Sequence, residues 1–226
     1  MKINVNFTFY PWNRMRKKFT EKQINILDVA EELIAKKGFE GTSVRDISAE
    51  AQINVAMISY YFGSKEKMMS YLYQYRVQRT KESFSEFAQT IKEGKPEMQM
   101  KEIINYIVSL LFKYSYFHGF VTQEIRTLEN VKDDLLEFYQ ICVTRLDDIV
   151  KKGIVSGVFH NAPKSEDVLT MIIGSTLFVI RNRNFYELYI PASNDAQYMK
   201  EAEQKLRSSI LLSVFALLDY DAEWSF

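Results

Sequence analysis

The chain has 226 residues, 29 Lys plus Arg against 29 Asp plus Glu, and one cysteine. This length accommodates a small domain beside a larger one of about 150 residues. Cys142 alone excludes an intramolecular disulfide framework, and zero net charge gives no whole-molecule attraction to nucleic acid, although residues 1–67 carry 11 basic against 8 acidic groups. Such a balance suits a protein that grips only a few phosphates and leaves them readily. No apolar run approaches the about eighteen residues of a membrane span. The start MKINVNFTFYPW lacks the apolar core and small-residue cleavage site of a secretory leader. A cytoplasmic protein with no membrane partner is expected.

Residues 1–19 form a separate segment. INVNFTFY alternates like a strand, and Pro11 breaks it before the basic cluster Arg14, Arg16, Lys17 and Lys18. Two readings stay open: a mobile tail, with Met15 a candidate natural start, or a basic arm that touches phosphates or enters a minor groove.

From Thr20 the pattern turns helical. Ile24, Leu27, Ala30 and Ile34 lie at helical spacing, and Gly38 suits the residue that stops the helix. Ser43 followed by Asp46 is a capping box with a shorter acid and starts a helix from Val44 to Ala51. Asn54 caps the next helix. Ile58 and Phe62, at i and i+4, pin one of its faces to a small core, so Val55, Ala56, Met57, Ser59 and Tyr60 point outward. Ser64 caps a further helix with Lys65 in its first turn. A cation there opposes the helix dipole, which points to an external anion as its partner. Two short helices joined by a tight turn, the second with an outward face, suit docking in a DNA major groove.

Residues 20–67 resemble the N-terminal domain of the TetR family of bacterial transcriptional regulators (TetR/AcrR type). The resemblance rests on Gly38-Phe39, Thr42-Ser43-Val44-Arg45, Ile47, Ala51, Ile53, Ile58, Tyr60-Tyr61-Phe62, Ser64-Lys65-Glu66 and Met68. It implies that Thr42, Ser43, Arg45, Tyr61 and Lys65 position phosphates while Val55, Ala56, Met57, Ser59 and Tyr60 face the bases. Short apolar side chains there favour thymine methyl contacts over bidentate guanine reading. The chain departs from the family at three places: Gln52 stands at the usual turn glycine, Ser59 at a common tyrosine and Ser48 at a common alanine. A residue with a Cβ at position 52 must take a left-handed conformation, which costs about 1 kcal/mol.

The rest of the chain, 68–226, also reads as helices. They are expected from Ser64 to about Glu93, closed by Gly94-Lys95-Pro96; from Glu97 to Phe117, ended by Gly119; near Val121–Leu128; from Lys132 to Lys152, stopped by Gly153; from a Ser165 cap to about Leu188; and from Tyr198 to Leu218. The fold class is therefore all-α, a three-helix head at 20–67 joined by one long helix to a larger helical domain. The second long helix has almost no polar face (Ile103, Ile104, Tyr106, Ile107, Val108, Leu110, Leu111, Phe112), so protein, or protein plus ligand, surrounds it. Tyr106, Leu110, Tyr114, Phe117, Phe138, Cys142 and Phe178 suggest an apolar cavity with a few polar handles, among them Arg181. The family resemblance implies a pocket for a small apolar or aromatic ligand in this region.

The last two helices carry wide apolar faces. Ile172, Leu177 and Ile180 accompany Gly174 and Ser175, and Leu206, Ile210, Val214 and Leu217 run beside Leu211, Phe215 and Leu218. Such width suits a twofold contact that makes a homodimer on a palindromic double-stranded operator. Catalysis has little support. His118 and His160 lie 42 positions apart, no paired metal-ligand spacing exists, and no phosphate loop or nucleophile elbow occurs. No catalytic residue, metal or cofactor is implied. The family resemblance implies a ligand-responsive DNA-binding regulator, and a repressor, released from DNA when a ligand displaces the long helix. The alternative, sustained by Gln52 and Ser59, is a helical small-molecule-binding protein without sequence-specific DNA binding.

Overall fold

The computed structural model of the chain describes residues 19–117 and 129–220. The basic cluster Arg14 to Lys18, His118, Gly119 and the short helix expected near Val121–Leu128 lie outside them. Among the described residues every regular element is a helix.

The head begins with α1 (Glu21–Lys37). Thr20 caps it reciprocally with Gln23, and Gly38 at φ 74° stops it with its N–H bonded to Ile34 O. Next come α2 (Val44–Glu50), capped by Ser43 with Asp46, and α3 (Val55–Phe62), capped by Asn54. Ser64 caps the long α4 (Lys65–Thr90) by accepting from the Lys67 N–H. Side-chain oxygens thus satisfy backbone donors that each first turn would leave unpaired.

Ile26, Leu27, Ala30, Ile34, Ile47, Ile58 and Phe62 make one core, and α4 completes it with Met68, Met69, Leu72, Tyr73, Tyr75 and Val77. Phe117, far along the chain, joins the same core with its ring edge-on to Tyr73 at 4.8 Å. The apolar centre of the head therefore reaches well past residue 67. Further along, α4 turns Phe84 into a second, larger core built on α5 (Pro96–Lys113), α6 (Glu129–Val155), α7 (Ser165–Arg181) and α9 (Asp195–Leu217), with the one-turn α8 (Arg183–Tyr186) between the last two. Helix α5 packs against α6, α7 and α9, which accounts for its lack of a polar face.

Several boundaries differ from the sequence pattern, each for a local reason. Helix α4 ends at Thr90. Gln99 Nε2 donates to Ile91 O and Lys92 O at 2.5 and 2.6 Å, and Lys152 Nζ donates to Gly94 O at 3.0 Å. These side chains hold the carbonyls of the turn that follows the helix, where the Gly94 N–H also donates to Ile91 O at 3.0 Å. Helix α5 stops at Lys113 because Tyr114 leaves helical geometry at φ −109°, ψ 36°. Gly153 does not stop α6. The helix runs through it to Val155, and glycine is required there by contact, since a Cβ would lie 1.9 Å from the Phe159 ring. Gly157, at φ 71°, makes the turn. Ser165 is the first helical residue of α7, after an N-cap Lys164 that makes no side-chain bond. Helix α7 breaks at Asn182, whose N–H and Nδ2 both donate to Phe178 O, at 2.9 and 2.8 Å. Asn194 caps α9, accepting from the Gln197 N–H at 2.9 Å.

The apolar stripe of α9 is mostly used inside the chain. Leu206, Ile210, Val214, Phe215 and Leu218 are buried, whereas Leu212 and Leu217 are exposed. On α7 Ile172 is buried, and Gly174 faces open space. No helix among the described residues is long and apolar enough to cross a membrane.

Candidate nucleic-acid interface and internal cavity

Helix α2 and the turn that leads from it to α3 are built from local bonds. Ser43 Oγ accepts from the Asp46 N–H at 3.1 Å, and Asp46 Oδ2 accepts from the Ser43 N–H at 2.9 Å. The Ser43 bonds also hold the Asp46 carboxyl below its ordinary range. Helix α2 ends at Ala51, Gln52 follows at φ 55°, and the Ile53 N–H reaches Ser48 O at 2.9 Å. A glutamine therefore adopts the left-handed conformation that the turn demands. Asn54 Oδ1 then accepts from the Ala56 N–H at 2.9 Å and starts α3.

With Ile58 and Phe62 turned inward, α3 leaves Val55, Ala56, Ser59 and Tyr60 exposed and Met57 and Tyr61 half-buried. Tyr60 is 79% exposed, its ring edge-on to Tyr61 at 5.1 Å. Arg45 and Ser43 are exposed at the start of α2. The result is an unobstructed helix face with one cation and several hydroxyls at its border, a shape that can enter a groove and hold the adjoining backbone.

Two expected contact residues behave differently. Thr42 is 1% exposed, and its Oγ1 donates to Gly38 O at 2.8 Å, so its hydroxyl is spent inside the α1–α2 turn. Lys65 also has an internal partner: its ammonium donates to Phe39 O at 2.7 Å and lies 4.0 Å from the centre of the Phe39 ring. A carbonyl and an aromatic face stabilise the charge, and no external anion is needed to explain it.

An internal cavity of about 60 Å³ lies where α4, α5, α6 and α7 meet. Arg76, Val77 and Thr80 line it from α4, Ile107, Leu110 and Leu111 from α5, with Tyr114 and Phe117 following. Leu135, Phe138, Tyr139 and Cys142 close it from α6, and Leu169, Ile173 and Leu177 from α7. Leu110, Tyr114, Phe117, Phe138 and Cys142 are thus brought together as the sequence suggests.

Three of the expected residues are not part of it. Tyr106 turns away, stacked on Phe87 at 4.3 Å with its hydroxyl 2.8 Å from Ser83 Oγ. Phe178 is 51% exposed and packs edge-on with Phe185 and Tyr186, so its neighbour Leu177 supplies the wall. Arg181 is exposed at the end of α7 and does not line the cavity. His160 is exposed as well. Burial pushes the Cys142 thiol far up, so it stays neutral, and it serves as apolar wall.

The polar group that the sequence did not announce is Arg76. Its Nε donates to Glu31 Oε1 at 2.6 Å, its Nη2 to Glu31 Oε2, and its Nη1 to the Tyr114 hydroxyl at 2.9 Å. The Tyr116 hydroxyl also donates to Glu31 Oε1, and burial raises its pKa. Beside this cluster Tyr75 donates to Asp28 at 2.8 Å, and Arg79 donates to Tyr75 Oη at 2.8 Å. Two polar clamps therefore join α1 of the head to α4, and one of them borders the cavity. The available signal was helical spacing: Tyr73, Arg76 and Thr80 share one side of α4.

Residues 26–72 match the family model for bacterial regulatory proteins of the tetR family. The probable HTH-type transcriptional regulator YttP of Bacillus subtilis (strain 168) is 29% identical over 146 residues, 65% of this chain and 67% of that protein. The HTH-type transcriptional repressor NicS of Pseudomonas putida (strain KT2440) is 29% identical over 170 residues, 71% of this chain and 76% of its own. Two solved structures share the fold. A TetR transcription regulator from Haloarcula marismortui superposes with a TM-score of 0.63 at 15% identity, covering 86% of this chain and 98% of its own. The regulator FadR of Bacillus subtilis, in complex with stearoyl-CoA, gives 0.54 at 20% identity, covering 83% and 97%.

Proposed function

The chain is a transcriptional regulator of the tetR family, and from that premise we propose that it is a repressor which a small, largely apolar molecule releases from its operator. One observation carries this reading. Helix α4 closes the head core with Met68, Met69 and Leu72 and, on the same helix, walls the cavity with Arg76, Val77 and Thr80. A cavity of about 60 Å³ is far below the about 300–1,000 Å³ of a drug-sized ligand site. A ligand must therefore displace its walls to enter, and α4 is one of them. Ligand releases DNA only to the extent that it prefers the displaced state, typically by about 1–3 kcal/mol.

On this reading residues 20–67 are the DNA-binding domain, 68–226 the ligand-binding and dimerisation domain, and α4 belongs to both. Ser43, Arg45 and Tyr61 hold phosphates, while Val55, Ala56, Met57, Ser59 and Tyr60 face the bases. Leu110, Tyr114, Phe117, Phe138 and Cys142 receive an apolar, aromatic or acyl body. That NicS is named a repressor and that FadR was solved with stearoyl-CoA support both halves of the proposal. Two copies join through α7 and α9, whose outer face offers Gly174, Phe178, Leu212, Ala216 and Leu217, and read a palindromic operator in the cytoplasm.

The test is a footprint on DNA flanking the protein's own gene, followed by titration of the bound fragment against a metabolite library. Leu110→Trp should abolish the ligand response while leaving operator affinity near wild type. Effective ligands that displaced DNA equally well from Leu110→Trp would locate the sensor elsewhere.

A further inference from the structure

We propose that Arg76 serves two carboxylates in turn, that of Glu31 in the head and that of an amphiphilic acid entering the cavity, so that binding the acid unfastens α1 from α4. This rests on the cavity being the sensor and adds the charge class of the ligand and the contact that responds to it.

Among the described residues Arg76 is the one charged group in the cavity wall, and its side chain is 11% exposed. A guanidinium carries five N–H donors. Two go to Glu31 and one to the Tyr114 hydroxyl, and the Tyr116 hydroxyl bonds the guanidinium as well, so an incoming carboxylate must take over donors that Glu31 now holds. Tyr114 lines the cavity too, and its ring lies against the guanidinium, 4.2 Å from Cζ. The cavity is thus apolar over most of its wall and ends on the cation that Glu31 holds.

An acid with an apolar body fits that layout end to end. Its body gains burial against Leu110, Phe138 and Leu177, and its carboxylate meets Arg76. One guanidinium cannot compensate two carboxylates withdrawn from water, because the second lacks a counter-charge and repels the first. The acid is held by its apolar body as well as its charge. Glu31, 8% exposed, is held by Arg76 and the Tyr116 hydroxyl, so Glu31 is the carboxylate that yields. The exchange keeps Arg76 paired throughout and never strands a buried cation, the costly step in breaking such a pair. Glu31 then turns to water, and α1 loses its fork on α4. An uncharged molecule of the same shape fills the cavity but leaves the fork closed.

The probes are the straight-chain acids from butanoate to dodecanoate and the matching primary alcohols, titrated calorimetrically into the full chain. Displacement of the footprinted DNA is followed in parallel. In wild type the best acid should bind at least about tenfold tighter than its alcohol. Glu31→Gln removes the competitor and should tighten that acid a further tenfold or about so, with the alcohol unchanged. A merely structural role for Glu31 would instead weaken both. Equal binding of acid and alcohol, or weaker acid binding by Glu31→Gln, overturns the proposal, as does failure of every probe to bind. If uncharged members of the metabolite library displace DNA through Leu110 and acids hold no advantage, the cavity remains the sensor and only the exchange at Arg76 falls. Should Glu31→Gln fail to fold, the wild-type comparison of acid with alcohol decides.

Discussion

Arg76 on α4 grips Glu31 on α1 with two prongs, across 45 positions of sequence, and both side chains are about nine-tenths buried. Removing either partner alone leaves an uncompensated charge out of water. Glu31→Ala and Arg76→Met should each cost about 3–5 kcal/mol, and Glu31→Leu combined with Arg76→Met much less than the sum. Urea unfolding of the three variants checks this. Additive losses would mean the two charges are not energetically coupled.

The turn at Gln52 gives a second prediction. At φ 55° glycine would relieve the left-handed penalty but lose more backbone freedom on folding, so Gln52→Gly should change stability by less than about 1 kcal/mol in either direction. Gln52→Val, branched at Cβ, should be clearly worse. Thermal melts of the two variants separate local backbone strain from side-chain contacts.

On DNA, Arg45 and Lys65 should part company. Arg45 is exposed and makes no ion pair among the described residues, whereas Lys65 is tied to Phe39. Arg45→Ala should weaken binding to all sequences alike and lower the salt slope by about 1. Lys65→Ala should chiefly destabilise the head, by about 1.5–3 kcal/mol for a lost hydrogen bond from a charged donor. Affinity measured across a salt series, with unfolding curves beside it, distinguishes the two roles. An unchanged salt slope for Arg45→Ala would remove it from the phosphate contacts.

Assembly can be tested only at positions that the chain does not bury for itself. Ile210 is 2% exposed, so Ile210→Asp should unfold the subunit whether or not it dimerises. Leu212 is exposed on the outer side of α9. Leu212→Asp should leave a folded monomer by sedimentation and circular dichroism. A Leu212→Asp chain that still sediments as a dimer would remove this face from the subunit contact.

What was legible in the sequence was whatever depends on near neighbours. Ser43, Asn54 and Ser64 could be read as caps because each satisfies an N–H two or three residues on, and Gln52 could be read as left-handed because it stands where the resembling family has its turn glycine. Gly153 misled because glycine serves equally to end a helix and to admit a ring, and the Phe159 ring reaches it through the fold. The sequence pattern puts Phe178 at the cavity and Leu177 on the subunit face. They are adjacent on one helix, and the packing of the neighbouring helices, which the sequence does not show, turns Leu177 to the cavity. Arg76 does not stand out in the sequence, since a charge on a helix usually faces water and its partner Glu31 lies 45 positions away. Lys65 has an internal partner in Phe39 O, 26 positions away, which its place in a first turn does not reveal.

The fastening of α4 at its far end has a mechanical meaning. Gln99 and Lys152 hold the carbonyls of Ile91, Lys92 and Gly94, so that end of the helix acts as a fulcrum. At 1.5 Å per residue, Arg76 lies about 22 Å from Ile91 and Ser64 about 40 Å. Any sideways motion imposed at Arg76 arrives at the base of α3 enlarged by a factor of about 1.8 on the same rise per residue. A shift of one bond length at the cavity becomes, at the recognition helix, a misfit comparable to the length of a hydrogen bond. The rod needs no hinge of its own to transmit it.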